Sequence, residues 1–123
     1  MENTLTKFMQ ITDDPYRWLR EWKERNNRLV MGYFPMHLPE EIVHAAGIVP
    51  VKIFRTFERI KFAEFYVAPA TCDYNRSTID LALKGELDFL DGLLFPDTCY
   101  MIRILYEIIE NKCRNPFIKF LFT

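Results

Sequence analysis

Cysteine and its neighbours carry the clearest chemical potential in this chain. Cys72 follows Pro69-Ala70-Thr71 and stands directly before a helical pattern. Cys99 follows an apolar run and the turn Pro96-Asp97-Thr98, again at the expected start of a helix. The free N–H groups and partial positive charge of a helix N-terminus favour a thiolate. Thiolates are the ligands that iron and zinc take up. Two thiols distant in sequence but placed alike could therefore converge on one cofactor. The plainer reading is that each is a free cysteine acting as a small buried hydrophobe, since the pair lacks CxxC spacing. Cys113 lies between Lys112 and Arg114 near the end of an amphipathic helix, without a preceding strand-to-helix turn, and reads as structural. Three cysteines without tight spacing argue against a disulfide scaffold.

Other groups with chemical capacity flank these thiols. Arg76-Ser77-Thr78 falls in the first turn of the helix after Cys72, where arginine and hydroxyls can hold an anion such as a phosphate or a thioester oxygen. Arg76 and Ser77 are therefore candidate substrate-binding residues. Helix capping and an ion pair with Asp73 or Asp80 are the alternative. His37 lies in the loop between Pro35 and Pro39 and is a further candidate for ligand contact. His44, within Ile42-Val43-His44-Ala45-Ala46, reads as a hydrogen-bonded histidine against the core. The two histidines lack the i, i+4 spacing of a helical metal pair. There is no GxGxxG, no Walker loop and no GxSxG, and no residue is singled out as catalytic.

The elements that must position these groups follow from periodicity. Residues 1–27 read as helical. Asp13-Asp14-Pro15 gives a start signal, and Trp18, Leu19 and Trp22 form one apolar face, as core or interface residues. Strands are expected at residues 28–34, 48–54, 90–95 and 117–121. Helices are expected at 40–46, 73–84 and 98–112, with Gly47 and Gly85 as stops. Residues 55–71 show a basic-aromatic stretch and no readable element. Alternation of strand and helix implies a mostly parallel four-stranded sheet with helices on both faces. The expectation is a Rossmann-like α/β three-layer sandwich over residues 28–123 with an N-terminal helical extension over residues 1–27.

Composition excludes several classes. The chain has 123 residues, of which 50% are hydrophobic and 27% charged, with a net charge of −1. Sixteen basic residues against 17 acidic ones argue against nucleic-acid binding, and the apolar content argues against disorder. No run approaches the roughly 20 apolar residues of a membrane span. The start Met1-Glu2-Asn3-Thr4 lacks the pattern of a signal peptide, so a cytoplasmic location and no membrane partner are expected. The apolar last strand, with nothing after it to cover its second face, suggests a truncated chain or one completed by a partner.

Two long segments resemble a known family. Tyr33-Phe34-Pro35-Met36-His37-Leu38-Pro39-Glu40-Glu41-Ile42-Val43-His44-Ala45-Ala46-Gly47-Ile48-Val49-Pro50 resembles the P-x-E-hydrophobic-hydrophobic-x-A-A-G-x-x-P segment of the benzoyl-CoA reductase / 2-hydroxyacyl-CoA dehydratase family. Cys72 to Ile79, then Asp88 to Cys99, then Arg103, resembles its C-x3-R-S … D-F-x-D-G-x-x-x-P-x-x-C pattern. The Arg76-Ser77-Thr78-Ile79 wording is most similar to the small catalytic-type subunit of benzoyl-CoA reductases.

The resemblance implies Rossmann-like lobes working as homologous subunit pairs. It implies a [4Fe-4S] cluster held by three cysteines and fed low-potential electrons by an ATP-dependent iron-sulfur activator protein. The electron acceptor would be an acyl-CoA, with ring reduction, 2-hydroxyl loss or double-cubane chemistry as the variants. On that implication Cys72 and Cys99 match the first two cluster ligands. The third belongs to a later lobe, so the ligand set here is incomplete and this lobe alone is expected to be inactive. Two other readings remain beside it: an orphan lobe acting as an interaction module, and a zinc or thiol site using Cys72 and Cys99.

Overall fold

The computed structural model describes residues 3–122. Two helices open the chain. The first, α1 (Thr4–Asp13), is capped by the Asn3 side chain, which accepts the Leu5 N–H. The second, α2 (Pro15–Asn26), has proline in its first turn, and the Asp14 carboxylate accepts the Arg17 N–H at 3.0 Å. The break at Asp14-Pro15 follows from proline lacking an N–H for the preceding helix. Asn27, at φ 49°, ends α2 in the left-handed conformation that asparagine tolerates.

The remainder alternates as expected: β1 (Val30–Tyr33), α3 (Glu40–Ala45), β2 (Val49–Lys52), α4 (Asp73–Leu83), β3 (Gly92–Pro96), α5 (Tyr100–Lys112) and β4 (Ile118–Leu121). The strands are shorter than the apolar runs that foretell them. Leu87 and Leu90 precede β3 in a turn yet are fully buried, so apolar content there reflects packing and not strand. Gly47 and Gly85 stop α3 and α4 at φ 79° and 80°.

The sheet order is β2-β1-β3-β4, all parallel. The chain steps outward from β1 to β2, then returns past β1 to β3 and on to β4. Right-handed crossovers in opposite directions place their helices on opposite faces. Accordingly α4 and α5 share one face with α2. There Ile79, Leu81, Leu105 and Ile109 pack with Val30, Phe34, Ile53, Leu93 and Phe95 in one core. Phe34 stacks on Phe95 with ring centroids 4.2 Å apart, and Tyr106 of α5 meets Phe95 edge-on. Short α3 lies on the other face, with no buried residue of its own. The result is the Rossmann-like three-layer α/β arrangement. No helix among the described residues is long and apolar enough to cross a membrane.

The helical extension is fastened to the lobe. Tyr16 is buried, and Leu19 and Trp22 pack on the core. Lys23 Nζ reaches Asp91 at 2.8 Å, and Asp91 accepts the Val30 N–H at 2.7 Å, which anchors the start of β1. Gly92 follows because the sheet is tight there. A Cβ would stand 2.7 Å from the Phe117 carbonyl oxygen and 2.7 Å from Met31 Sδ.

The segment between β2 and α4 has almost no regular structure, only a short 3-10 turn at Ala63–Phe65. One buried side chain organises it. Asp80, fully buried on α4, accepts the N–H groups of Lys61, Phe62 and Ala63 at 2.8–2.9 Å. Lys84 stands 3.5 Å away. Burial alone would raise the carboxyl's pKa. The Ala63, Lys61 and Phe62 donors and the Lys84 charge outweigh burial and hold it below its ordinary value. Because the folded pKa is depressed, this stabilisation is complete above the unfolded pKa and is lost as pH falls through the folded one. We therefore expect Asp80→Asn to cost about 3 kcal/mol in urea denaturation, since an amide cannot replace the carboxylate's charge or both its acceptors. Below about pH 4 the native chain should lose stability more steeply than the Asn variant.

Candidate functional site

Four side chains seat the segment before Cys72. The Tyr16 hydroxyl both accepts the Phe54 N–H and donates to the Phe54 carbonyl, each at 2.8 Å. The Tyr74 hydroxyl donates to the Ile53 carbonyl at 3.0 Å. The Ser77 hydroxyl accepts the Thr56 N–H at 2.6 Å and donates to the Thr56 carbonyl at 3.1 Å. Asp80 holds the next turn. Burial pushes both phenols up, Tyr16 to about 12 and Tyr74 further, so both stay protonated donors.

This seating delivers Cys72 as the N-cap of α4 in extended conformation, at φ −57° and ψ 145°. Cys99 is the N-cap of α5, at φ −157° and ψ 162°. Both thiols are exposed, and neither caps its helix with a side-chain hydrogen bond. A cysteine at a position that favours a serine or aspartate oxygen gives up the capping bond. It leaves sulfur facing solvent beside the free N–H groups of a first turn. α4 and α5 are neighbours on one face of a parallel sheet, so both starts lie at the carboxyl end of the strands. That end is where open α/β sheets bind ligands. Beneath Cys99, Arg103 grips Asp97 through two hydrogen bonds of 2.9 and 2.7 Å. The Arg103 bonds hold the Asp97 carboxyl below its usual range. The Asp97 N–H in turn donates to the Leu121 carbonyl, which ties the turn to β4.

The other expected site residues have different fates. Ser77 is 2% exposed, and its hydroxyl is engaged by Thr56 on both sides, so it secures the segment 53–57. Arg76 lies 3.4 Å from Glu64 and 3.9 Å from Asp73, and its Nε is buried without a partner. His37 is exposed in the loop after β1, beside the reversal point of the sheet. It and Met36 both adopt positive φ, 60° and 78°. Two consecutive left-handed residues that are not glycine store backbone strain. His44 is exposed on the last turn of α3 and not set against the core as the sequence suggested, because the face of α3 that carries it looks to solvent. Cys113 is half-buried and donates weakly to the Ala82 carbonyl. Burial, with the Asp88 charge, raises its thiol to about 11.

Sequence reasoning offered Asp80 only as an ion-pair partner of Arg76 and missed its backbone partners in the unreadable segment, and it missed the pairing of Asp97 with Arg103, about one turn into α5. The only signal for Asp80 was a carboxylate on the apolar side of a helix.

A [4Fe-4S] cluster asks for thiolates, and Cys72 and Cys99 fit it in kind. Among the described residues no group of three or more His, Cys, Asp or Glu is arranged to hold a metal ion, so the donors fall short in number. Residues 35–122 match the model of a family described as 2-hydroxyglutaryl-CoA dehydratase, D-component. The chain belongs to this family. It is 39% identical over 89 residues to a benzoyl-CoA reductase subunit of Thauera aromatica, covering 70% of this chain and 23% of that protein. It is 28% identical over 108 residues to the (R)-phenyllactyl-CoA dehydratase beta subunit of Clostridium sporogenes, covering 88% and 29%. It is 29% identical over 101 residues to the (R)-2-hydroxyglutaryl-CoA dehydratase beta subunit of Acidaminococcus fermentans, covering 80% and 26%. The chain thus spans between 23% and 29% of the length of these D-component relatives.

The contrast among the thiols of this D-component chain is measurable. At pH 8 a thiol with a pKa of about 11 holds roughly one thiolate in a thousand. Iodoacetamide should label exposed Cys72 and Cys99 at least tenfold faster than Cys113 in the native chain. In urea the three rates should converge. Peptide mass spectrometry reads all three.

Proposed function

We propose that this chain is the cluster-bearing lobe of an acyl-CoA reductase or dehydratase subunit, with Cys72 and Cys99 as two thiolate ligands of a [4Fe-4S] cluster. One observation carries the reading: two exposed, uncapped cysteines stand at the starts of adjacent helices beyond the same edge of a parallel sheet. Each of the three relatives is named as a subunit and each name contains a CoA thioester, which supports a subunit partner and an acyl-CoA substrate here. The cluster supplies low-potential one-electron chemistry when bound. An ATP-dependent iron-sulfur activator is the proposed source of electrons.

This chain's own residues do the positioning. Tyr74 and Asp80 hold the approach to Cys72, and the Asp97–Arg103 pair holds the approach to Cys99. Both sulfurs are exposed at the first turns of α4 and α5, open to a metal ligand role. Arg76, in the first turn after Cys72, is the proposed charge-assisted donor to a thioester oxygen or phosphate, in exchange for its contacts at 3.4 Å to Glu64 and 3.9 Å to Asp73. His37, exposed on the strained loop after β1, is the proposed contact from the opposite side of the reversal point. Ser77 contributes through Thr56. Any remaining thiolate would come from outside the described residues, from a later lobe or from a homologous partner subunit.

Iron and acid-labile sulfide per chain test this, on protein reconstituted without oxygen beside a homologous subunit. We expect iron to be lost in Cys72→Ser and in Cys99→Ser and kept in Cys113→Ser. Iron retained in both N-cap variants would refute the assignment. Absence of iron from every sample would make the lobe an interaction module, and zinc in place of iron would make it a zinc site.

A further inference from the structure

A groove of about 1060 Å³ runs between the α1–α2 corner and the outer strand β2 with its following loop. Its walls are apolar, including Trp18, Leu19, Val51 and Phe54. At its mouth stand Lys52, Arg55 and Phe57. The Phe57 ring is 88% exposed, and the Arg55 guanidinium lies 4.5 Å from its centroid. Neither Lys52 nor Arg55 has an ion pair among the described residues.

The carboxylates lining the same groove are mostly engaged. Glu58 pairs with Lys84 at 3.1 Å, and Glu86 pairs with Arg20. Asp14 caps α2. Asp13 on the α1 wall and Glu40 at the start of α3 are the exceptions. The mouth therefore offers two uncommitted cations beside an aromatic face held in water. That combination suits a phosphorylated adenosine: guanidinium and ammonium groups take phosphate oxygens, and a base stacks on the exposed ring.

The groove is also joined to the thiols. Ile53 and Thr56, on either side of Phe54 and Arg55, are hydrogen-bonded to Tyr74 and Ser77. The segment carrying the cations thus lies along the first turns of the helix that Cys72 begins.

We infer that Lys52, Arg55 and Phe57 hold the nucleotide handle of CoA, with adenine on Phe57 and phosphates on Arg55 and Lys52. The inference rests on the acyl-CoA reading above and specifies which part of this chain meets the invariant end of that substrate.

Calorimetric titration of the full chain, without iron, with CoA, dephospho-CoA, ATP and pantetheine tests it. CoA should bind, and more weakly as salt rises. Arg55→Ala and Phe57→Ala should each weaken CoA about tenfold, and pantetheine alone should give no heat. Both side chains are exposed, so thermal midpoints should not move. CoA affinity indifferent to both substitutions, or no CoA binding by the unsubstituted chain, would overturn the site. ATP binding as tightly as CoA would make it a free-nucleotide site and overturn the CoA assignment. Arg55-dependent CoA binding by a chain that never holds iron would keep this inference and sink the cluster assignment. Iron held through Cys72 and Cys99, with CoA binding indifferent to Arg55, would do the reverse.

Discussion

A single buried carboxylate sets the geometry on which the rest depends. Asp80 sits on the core side of α4 and accepts three consecutive backbone N–H groups from a segment with almost no regular structure. Unpaired backbone donors in that position would be costly to bury. One charged acceptor satisfies all three, and Lys84 offsets its charge at the protein surface. The connection from β2 to α4 is therefore bound to the helix it precedes, and its end, Cys72, has one place to go. Tyr74 and Ser77, on the same helix, repeat the device with neutral hydroxyls. α4 thus carries both the candidate ligand and the groups that locate it.

Topology accounts for the common end of the sheet at which the two cysteines stand. They belong to separate strand-to-helix connections, and nothing local to either places them there. Right-handed crossovers put α4 and α5 on one face, and parallel strands put both helix starts at one edge. The order in which strands are added reverses between β1 and β3, so the loop bearing His37 opens beside the one bearing Cys99. The strained backbone at Met36 and His37 lies at this reversal and not in the supporting layers.

The residues of the two long motifs divide by what they touch. Asp91 anchors the start of β1 and takes the Lys23 charge. Gly92 lets the Phe117 backbone close on β3. Ser77 and the Asp97–Arg103 pair fix the two turns that lead into the N-caps. Cys72 and Cys99 alone of this group spend nothing on the fold: exposed and without a capping bond, they add no stability that another N-cap residue would not exceed.

Periodicity and punctuation in the chain were enough for the α/β class, the order of seven alternating elements after the helical extension, and the placing of Cys72 and Cys99 at helix starts. These depend on local rules: proline and glycine at helix ends, apolar repeats of two or 3.6, and carboxylates at first turns. The path of residues 55–71 was beyond such rules, because its hydrogen bonds run to Asp80 and Ser77 on the next helix. The roles of Ser77 and His44 were likewise open. A hydroxyl in a first turn can face ligand or protein, and a histidine among apolar neighbours can face core or solvent. Only packing chose protein for Ser77 and solvent for His44. The tightness of the sheet at Gly92 also came from packing, since it is a distance between segments remote in the chain, and the common end of the sheet for the two thiols came from the order of its strands.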